Sequence, residues 1–188
     1  AWKMSEFARQ AGCKVIVSSS DSTDHYQEYL KHHADVIIIG EAEETLLELV
    51  DSFSINAAIK GIAFIHNGEV VKTGQRPLVK NINELPLPAW DLVDVNAYRN
   101  VWLSRWSYFS LNVATTRGCP YKCNWCAKPI YGNVYNMRTP QHVISELKLL
   151  KELYNVDHIW FCDDIFGLRR NWVIEFADLI KREKIELF

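Results

Sequence analysis

The chain has 188 residues, of which 48% are hydrophobic and 23% charged, and its formal net charge at pH 7 is −2. That balance belongs to a globular α/β protein, and nothing in the sequence resembles a polybasic nucleic-acid arm, a low-complexity tract or an internal repeat. No apolar run approaches the roughly 20 residues that span a bilayer, no stretch has the pattern of a signal peptide, and five cysteines fit a reducing, cytoplasmic setting better than a disulfide framework.

Lys14–Ser18 and Asp35–Ile39 are short β-branched runs, followed by the turn-forming segments Ser18–Asp24 and Gly40–Thr45. A helical segment, Tyr26–His33, joins them, and Leu46, Leu47, Leu49 and Val50 continue into another. Strands alternating with helices predict a parallel, doubly wound sheet with ligands beyond the carboxyl ends of its strands. Gly61–Gly74 alternates around Asn67-Gly68, the strongest short hairpin signal. Leu85–Leu92 is punctuated by prolines and reads as a semi-rigid extended connector. The aromatic stretch Trp102–Phe109 is expected to pack rather than to stack on nucleic acid, because no basic run accompanies it.

Leu111–Thr116 predicts a strand, and Arg117-Gly118 the turn that ends it. Cys119, Cys123 and Cys126 follow at once as C-x-x-x-C-x-x-C. Three thiolates on one loop match an iron–sulfur cube with one iron left open to a small molecule. A structural zinc site wants four protein ligands. Cys13 and Cys162 are distant in sequence, and His158 stands roughly 13 Å from Cys162 if both lie on one strand. Barrel enzymes place chemistry on such a loop at the carboxyl end of a strand. Thr139 and Pro140 then predict a helix start, with Val143, Leu147, Leu150 and Leu153 at helical spacing. His158–Cys162 is a near-continuous apolar strand, expected to be buried on both faces, and it opens into Asp163-Asp164. Asn171 is expected to cap a further helix through Arg182 that turns Val173, Phe176, Ala177 and Ile180 to one face.

On these residues the chain resembles a radical S-adenosylmethionine enzyme, with that superfamily's cluster motif and the first two β/α units of its partial TIM barrel. The resemblance implies that Cys119, Cys123 and Cys126 hold a [4Fe–4S] cluster whose open iron chelates S-adenosylmethionine. It implies that an electron from the cluster cleaves the sulfonium to a 5′-deoxyadenosyl radical. Trp125 fills the position that lies near the adenine in relatives, against the alternative of core packing. Asp163 and Asp164 match strand-end acids that hold the methionyl ammonium, against the alternative that one caps the following turn. Lys128 and Arg138 flank the motif, either as anion contacts or as solvated cations. A flavodoxin or ferredoxin reductant and a small-molecule or lipid-like substrate are implied, and no catalytic side chain is identified.

The amino-terminal part, in this company, is similar to the latter half of a cobalamin-binding domain. Gly40-Glu-Ala-Glu-Glu-Thr45 is similar to a recurrent loop of those two-domain enzymes. Ser18, Ser19, Ser20, Gly40, Glu41 and Thr45 would then line the nucleotide tail or corrin edge. A D-x-H-x-x-G signature is absent, since Asp24 and His25 are adjacent, so His25 reads as a solvated helix-start residue and not a cobalt ligand. The expected organisation is a cobalamin-binding-like segment at 1–55, a hairpin and linker at 56–105 and the start of the radical core at 106–188. Two β/α units cannot close a barrel, so the sequence reads as a piece of a longer protein that is inactive alone. The implied activity is cobalamin-dependent methylation of an unactivated carbon. Radical cyclisation or oxidation, methylthiotransfer without cobalamin, and a zinc-binding interaction module are the alternatives.

Overall fold

The computed structural model describes residues 2–52, 54–126 and 130–187. It divides into two units, Ala1–Val79 with Tyr121–Asn133, and Lys80–Pro120 with Val134–Phe188.

The first unit is built on a four-stranded sheet in the order β1 (Ile16–Ser18), β2 (Val36–Ile38), β3 (Ile62–His66), β4 (Glu69–Lys72). β1 and β2 run parallel, with Ile16 opposite Val36, and α2 (Ser20–Asp24) and α3 (Tyr26–Lys31) cross between them. Val36 and Ile38 pack with Ile62, Phe64 and Leu49 of α4 (Glu43–Ser52). On the other face, Ile37 and Ala63 meet Val15, Leu30 of α3 and Ala8 of α1 (Trp2–Gln10). Helices on both faces give the expected doubly wound arrangement around β1 and β2.

The hairpin departs from its expected place in a connector. β3 pairs antiparallel with β2, Ile37 opposite Ala63, so the sheet is mixed. The reason lies in β2, whose three residues are at most 1% exposed. A strand so apolar needs neighbours on both edges, and the buried Ile62-Ala63-Phe64 run supplies the second. Asn67 and Gly68 turn the hairpin at φ 52° and 84°, the left-handed pair that suits the twist of the strands. Ser20–Asp24, within the segment expected to be a turn, instead forms α2, because the Ser19 hydroxyl accepts the Ser22 amide at 2.9 Å and caps it.

The chain leaving β4 is tied down onto α4. Arg76 reaches Glu48 through Nη2 and Glu44 at 3.7 Å, and Glu41 Oε2 accepts the Val79 amide at 2.6 Å. Gly61 lies under this tether at φ 74°, where a Cβ would stand 3.2 Å from Arg76 Cβ and 3.3 Å from the Ile39 carbonyl oxygen. Both the backbone conformation and the space require glycine there.

The second unit starts with α5 (Val95–Leu103), capped by Asp94 Oδ1 on the Ala97 amide at 2.9 Å. Trp102 and Trp106 pack at 4.9 Å between ring centroids, and Tyr98 meets Phe109 at 6.0 Å, as expected for this aromatic stretch. β5 (Ser110–Val113) then pairs in parallel with β8 (His158–Phe161), Leu111 opposite Ile159. The crossover is α6 (Pro140–Tyr154), which begins as the sequence requires, with Thr139 Oγ1 accepting the His142 amide at 3.2 Å and Pro140 in the first turn. α7 (Arg170–Arg182) follows β8.

One core joins Phe109, Leu111, Val113 and Ile159 to Val143, Leu147 and Leu150 of α6 and to Trp172, Phe176 and Leu179 of α7. Each such side chain contributes about 1.5–3 kcal/mol of burial. Leu153 is 66% exposed, because the buried stripe of α6 runs from Leu150 to Tyr154, which packs against the core, and leaves Leu153 to one side. Asn171 does not cap α7. The helix starts at Arg170, with Arg169 as its N-cap and no side-chain bond, and this phase turns Trp172 inward and Ala177 out. β8 is buried on one face, because Trp160 on the other is 64% exposed.

Candidate metal centre

The cysteine loop hangs from a short ladder at the carboxyl end of β5. β6 (Thr116–Arg117) pairs antiparallel with β7 (Asn136–Met137), Thr116 opposite Met137 and Arg117 opposite Asn136. The eighteen-residue excursion between Arg117 and Asn136, counted along the sequence, therefore leaves and returns through one gate. Arg138 extends the gate by one bond, its amide donating to the Thr115 carbonyl at 2.9 Å.

The end of β8 closes against the same residues. The Cys162 amide donates to the Val113 carbonyl at 3.0 Å. Asp163 then accepts three bonds, from the Thr115 amide at 2.6 Å and the Thr116 amide at 2.8 Å on Oδ1, and from Thr115 Oγ1 at 2.6 Å on Oδ2. Thr115 is 0% exposed, so these donors have no solvent to turn to. Asp164 is exposed, and among the described residues its carboxylate makes no hydrogen bond or ion pair. The two neighbouring acids are thus in different situations.

Arg138 is not a solvated cation. It is 9% exposed, and its Nη1 bonds Glu146 Oε2 at 2.5 Å and the Ala114 carbonyl at 2.9 Å. Nη2 donates to the His142 carbonyl at 3.2 Å, and Trp172 Nε1 donates to the Arg138 carbonyl at 2.7 Å. Sequence reading missed this pair, since Glu146 looks like any surface acid of an amphipathic helix.

Burial, with the adjacent Arg138 charge, holds His142 below the ordinary imidazole value of 6.5. The folded state therefore binds a proton less readily than the unfolded chain, and acid favours unfolding. Stability from this group is complete above pH 6.5 and falls as the pH drops through 6.5 toward the lowered folded value. Urea midpoints measured across this range are expected to lose part of their acid slope in His142→Gln, with the curves converging above neutrality.

Cys119 is partly exposed, Cys123 and Cys126 are exposed, and none is in a disulfide. The Cys126 amide donates to the Cys123 carbonyl at 3.2 Å, a tight turn between the last two thiols. Trp125 is 89% exposed, so core packing is not its role. Lys128 lies outside the described residues. Among the described residues no three His, Cys, Asp or Glu side chains form a group that would hold an ion.

The donor set itself fits a cluster better than zinc. The described part of the loop carries three thiols and no histidine or carboxylate, one ligand short of a closed zinc site, whereas three thiolates can hold a cube with one open iron. Partial burial and the Asp163 charge push the Cys162 thiol up from its ordinary value, although the residue as a whole is exposed. Tyr135, which the sequence did not single out, has its phenol pushed up chiefly by burial, with the Asp163 and Cys119 charges adding to it. It is a neutral hydroxyl whose electrostatic surroundings include both Cys119 and Asp163.

In the first unit, the two turn segments expected to line a cofactor meet at the carboxyl edge of the parallel pair. Thr23 joins them, donating Oγ1 to the Ser19 carbonyl at 2.9 Å and accepting the Gly40 amide at 3.4 Å. Ser18 and Ser20 are exposed, while the Ser19 hydroxyl serves α2 and Glu41 serves Val79. Gly40 takes φ 89° to make the turn. Thr45 is 0% exposed and its hydroxyl makes no hydrogen bond among the described residues, which leaves a buried polar atom beside this edge. His25 is exposed at the start of α3, as expected.

No family model matches the chain. It is 33% identical over 157 residues to an uncharacterized methyltransferase of Pyrococcus horikoshii, covering 81% of this chain and 33% of that protein. It is 26% identical over 182 residues to the anaerobic magnesium-protoporphyrin IX monomethyl ester cyclase of Rubrivivax gelatinosus, covering 90% of this chain and 32% of that one. The chain thus spans about a third of the length of these relatives. Among solved structures, the cobalamin-dependent S-adenosylmethionine radical enzyme OxsB superposes with TM-score 0.77 at 17% identity, over 98% of this chain and 27% of that one. The radical S-adenosylmethionine methyltransferase TsrM of Kitasatospora setae superposes with TM-score 0.73 at 16% identity, over 97% and 36%. At those identities the two likenesses are ones of fold. The chain thus has the fold of cobalamin-dependent radical S-adenosylmethionine enzymes and is similar in sequence to a methyltransferase and to the magnesium-protoporphyrin cyclases.

Proposed function

We propose that the whole protein is a radical enzyme that cleaves S-adenosylmethionine at a [4Fe–4S] cluster and uses cobalamin to methylate an unactivated carbon. The observation that supports this most is the C-x-x-x-C-x-x-C loop gated by β6 and β7 at the end of β5, beside a strand end that carries Asp163 and Asp164. When bound, the cluster and S-adenosylmethionine supply an electron and a cleavable sulfonium, the source of a 5′-deoxyadenosyl radical, and cobalamin supplies a methyl group. In this reading Cys119, Cys123 and Cys126 bind as thiolates. Asp164, with its carboxylate unengaged among the described residues, takes the methionyl ammonium through a charge-assisted bond. Asp163 holds the gate. Trp125 offers an open indole face to the adenine. Ser18, Ser19, Ser20, Gly40, Glu41 and Thr45 form the edge toward cobalamin, with Thr23 joining its two halves.

A second reading, radical ring closure on a porphyrin-like substrate, is favoured by the similarity to the magnesium-protoporphyrin cyclase. Anaerobic reconstitution of the whole protein, with a flavodoxin or ferredoxin as reductant, tests the common core. Iron, sulfide and release of 5′-deoxyadenosine are expected, together with a retained red corrinoid. Zinc without sulfide would refute the reading. Product analysis with candidate small-molecule or lipid-like substrates then separates methyl transfer from ring closure.

A further inference from the structure

We infer that Arg138 is a positioning residue that fixes the register of the gate from which the cysteine loop hangs. The inference rests on the reading of that loop as a cluster site, but its evidence is in the second unit alone. The guanidinium sits at the return leg of the loop and reaches across to the outgoing leg, bonding the Ala114 carbonyl at 2.9 Å while its own amide bonds the Thr115 carbonyl at 2.9 Å. These two bonds continue the two-residue ladder of β6 and β7. From the opposite side Asp163 holds the amides of Thr115 and Thr116. The outgoing leg is therefore gripped on its carbonyls by Arg138 and on its amides by Asp163.

A grip of this kind can be built from uncharged groups, and the chain instead buries an ion pair. Glu146 is 1% exposed and bonds Arg138 at 2.5 Å, the guanidinium also donates to the His142 carbonyl and, through Nε, to His142 Nδ1 at 3.3 Å, and the Trp172 indole donates to the Arg138 backbone carbonyl. Removing two charges from water costs several kcal/mol per ion, and apolar pairs of similar volume are often as stable or more so. What the pair provides that an apolar pair does not is direction. Five guanidinium donors in a fixed fork can face Glu146, Ala114 and His142 at once, and they do so only in one register of the gate. A two-residue ladder has little resistance of its own to slipping, and a slip by one residue would turn every side chain on the legs to the other face.

The test uses the whole protein, first without metal. In a paired Arg138→Met and Glu146→Leu variant, which keeps volume and removes both charges, the urea midpoint is expected to stay near that of the parent. Amide hydrogen exchange in residues 114–117 and 136–138 is expected to speed about tenfold or more, while the second half of α6 is unchanged. Arg138→Lys, which keeps the charge but loses the fork, is expected to show the same local speeding and stands in if the paired variant does not fold. Unchanged exchange at the gate in a folded variant overturns the inference. After reconstitution, the reduced-cluster electron paramagnetic resonance signal and its response to S-adenosylmethionine are expected to broaden in both variants; a signal identical to the parent's also overturns it. A parent protein that takes up no iron refutes the cluster reading instead, and in that case the exchange result still decides whether Arg138 sets the gate.

Discussion

Replacing Cys119, Cys123 and Cys126 together by alanine is expected to take anaerobically reconstituted protein from about four irons per chain to below about 0.5, with sulfide lost in parallel. Each single replacement should also cost most of the iron, because a cube held by two thiolates at one end of a mobile set of bonds exchanges with added thiol. The loss should come with little change in the urea midpoint. Cys123 and Cys126 are exposed and Cys119 partly so, and none contributes to the core. Cys13→Ala and Cys162→Ala are the matching controls. Cys13 and Cys162 both lie outside the C-x-x-x-C-x-x-C loop, so neither is expected to change the iron count. The comparison also discriminates against zinc, which would seek a fourth ligand and so make one of these two replacements costly. Iron retained in the triple variant would remove the basis of the proposed chemistry.

What the sequence disclosed and what it hid divide along the range of the interactions. The Asn67-Gly68 turn and the Thr139-Pro140 helix start are signals written within a few residues, and each reappears in the structure as expected. The resemblance to radical S-adenosylmethionine enzymes was legible for the same reason, since the motif that carries it is one contiguous loop. The membership of the hairpin in the first sheet was not legible, because it depends on the burial of β2, some two dozen residues earlier. The same holds for the engagement of Asp163, whose partners Thr115 and Thr116 are 48 and 47 residues away. Arg138 and Asn171 were misread for a different reason. A cation near a motif and an asparagine near a helix start have strong generic meanings, and only the actual phase of α7 and the depth of Glu146 displace them.

Asp163 and Asp164 separate fold from chemistry within one dipeptide, and their replacements are expected to differ in kind. Asp163→Ala would leave the Thr115 amide, the Thr115 hydroxyl and the Thr116 amide without acceptors, on residues that are 0% and 6% exposed. A buried donor left unsatisfied costs about 1–3 kcal/mol. The three are neighbours that relax together, so a total of about 3 kcal/mol is expected rather than the sum of three maxima. Asp163→Asn keeps an acceptor oxygen for the two amides and turns an amide nitrogen toward the Thr115 hydroxyl, which can rotate to accept it but loses its own acceptor and the charge, so about half of that loss should remain. Urea midpoints of the metal-free protein measure both. Asp164→Ala removes a side chain with no hydrogen-bond or ion-pair partner among the described residues, and its effect on stability is expected to be within about 0.5 kcal/mol. If Asp164 takes the methionyl ammonium, however, a charge-assisted bond worth about 1.5–3 kcal/mol disappears, and S-adenosylmethionine binding should weaken about 10- to 100-fold. Calorimetry on the reconstituted whole protein reads that change directly. Unchanged binding in Asp164→Ala would leave the strand end with a structural acid and a solvated one. An unchanged midpoint in Asp163→Ala would mean that the gate is held without the carboxylate, and the assignment of the two roles would then fail at its structural half.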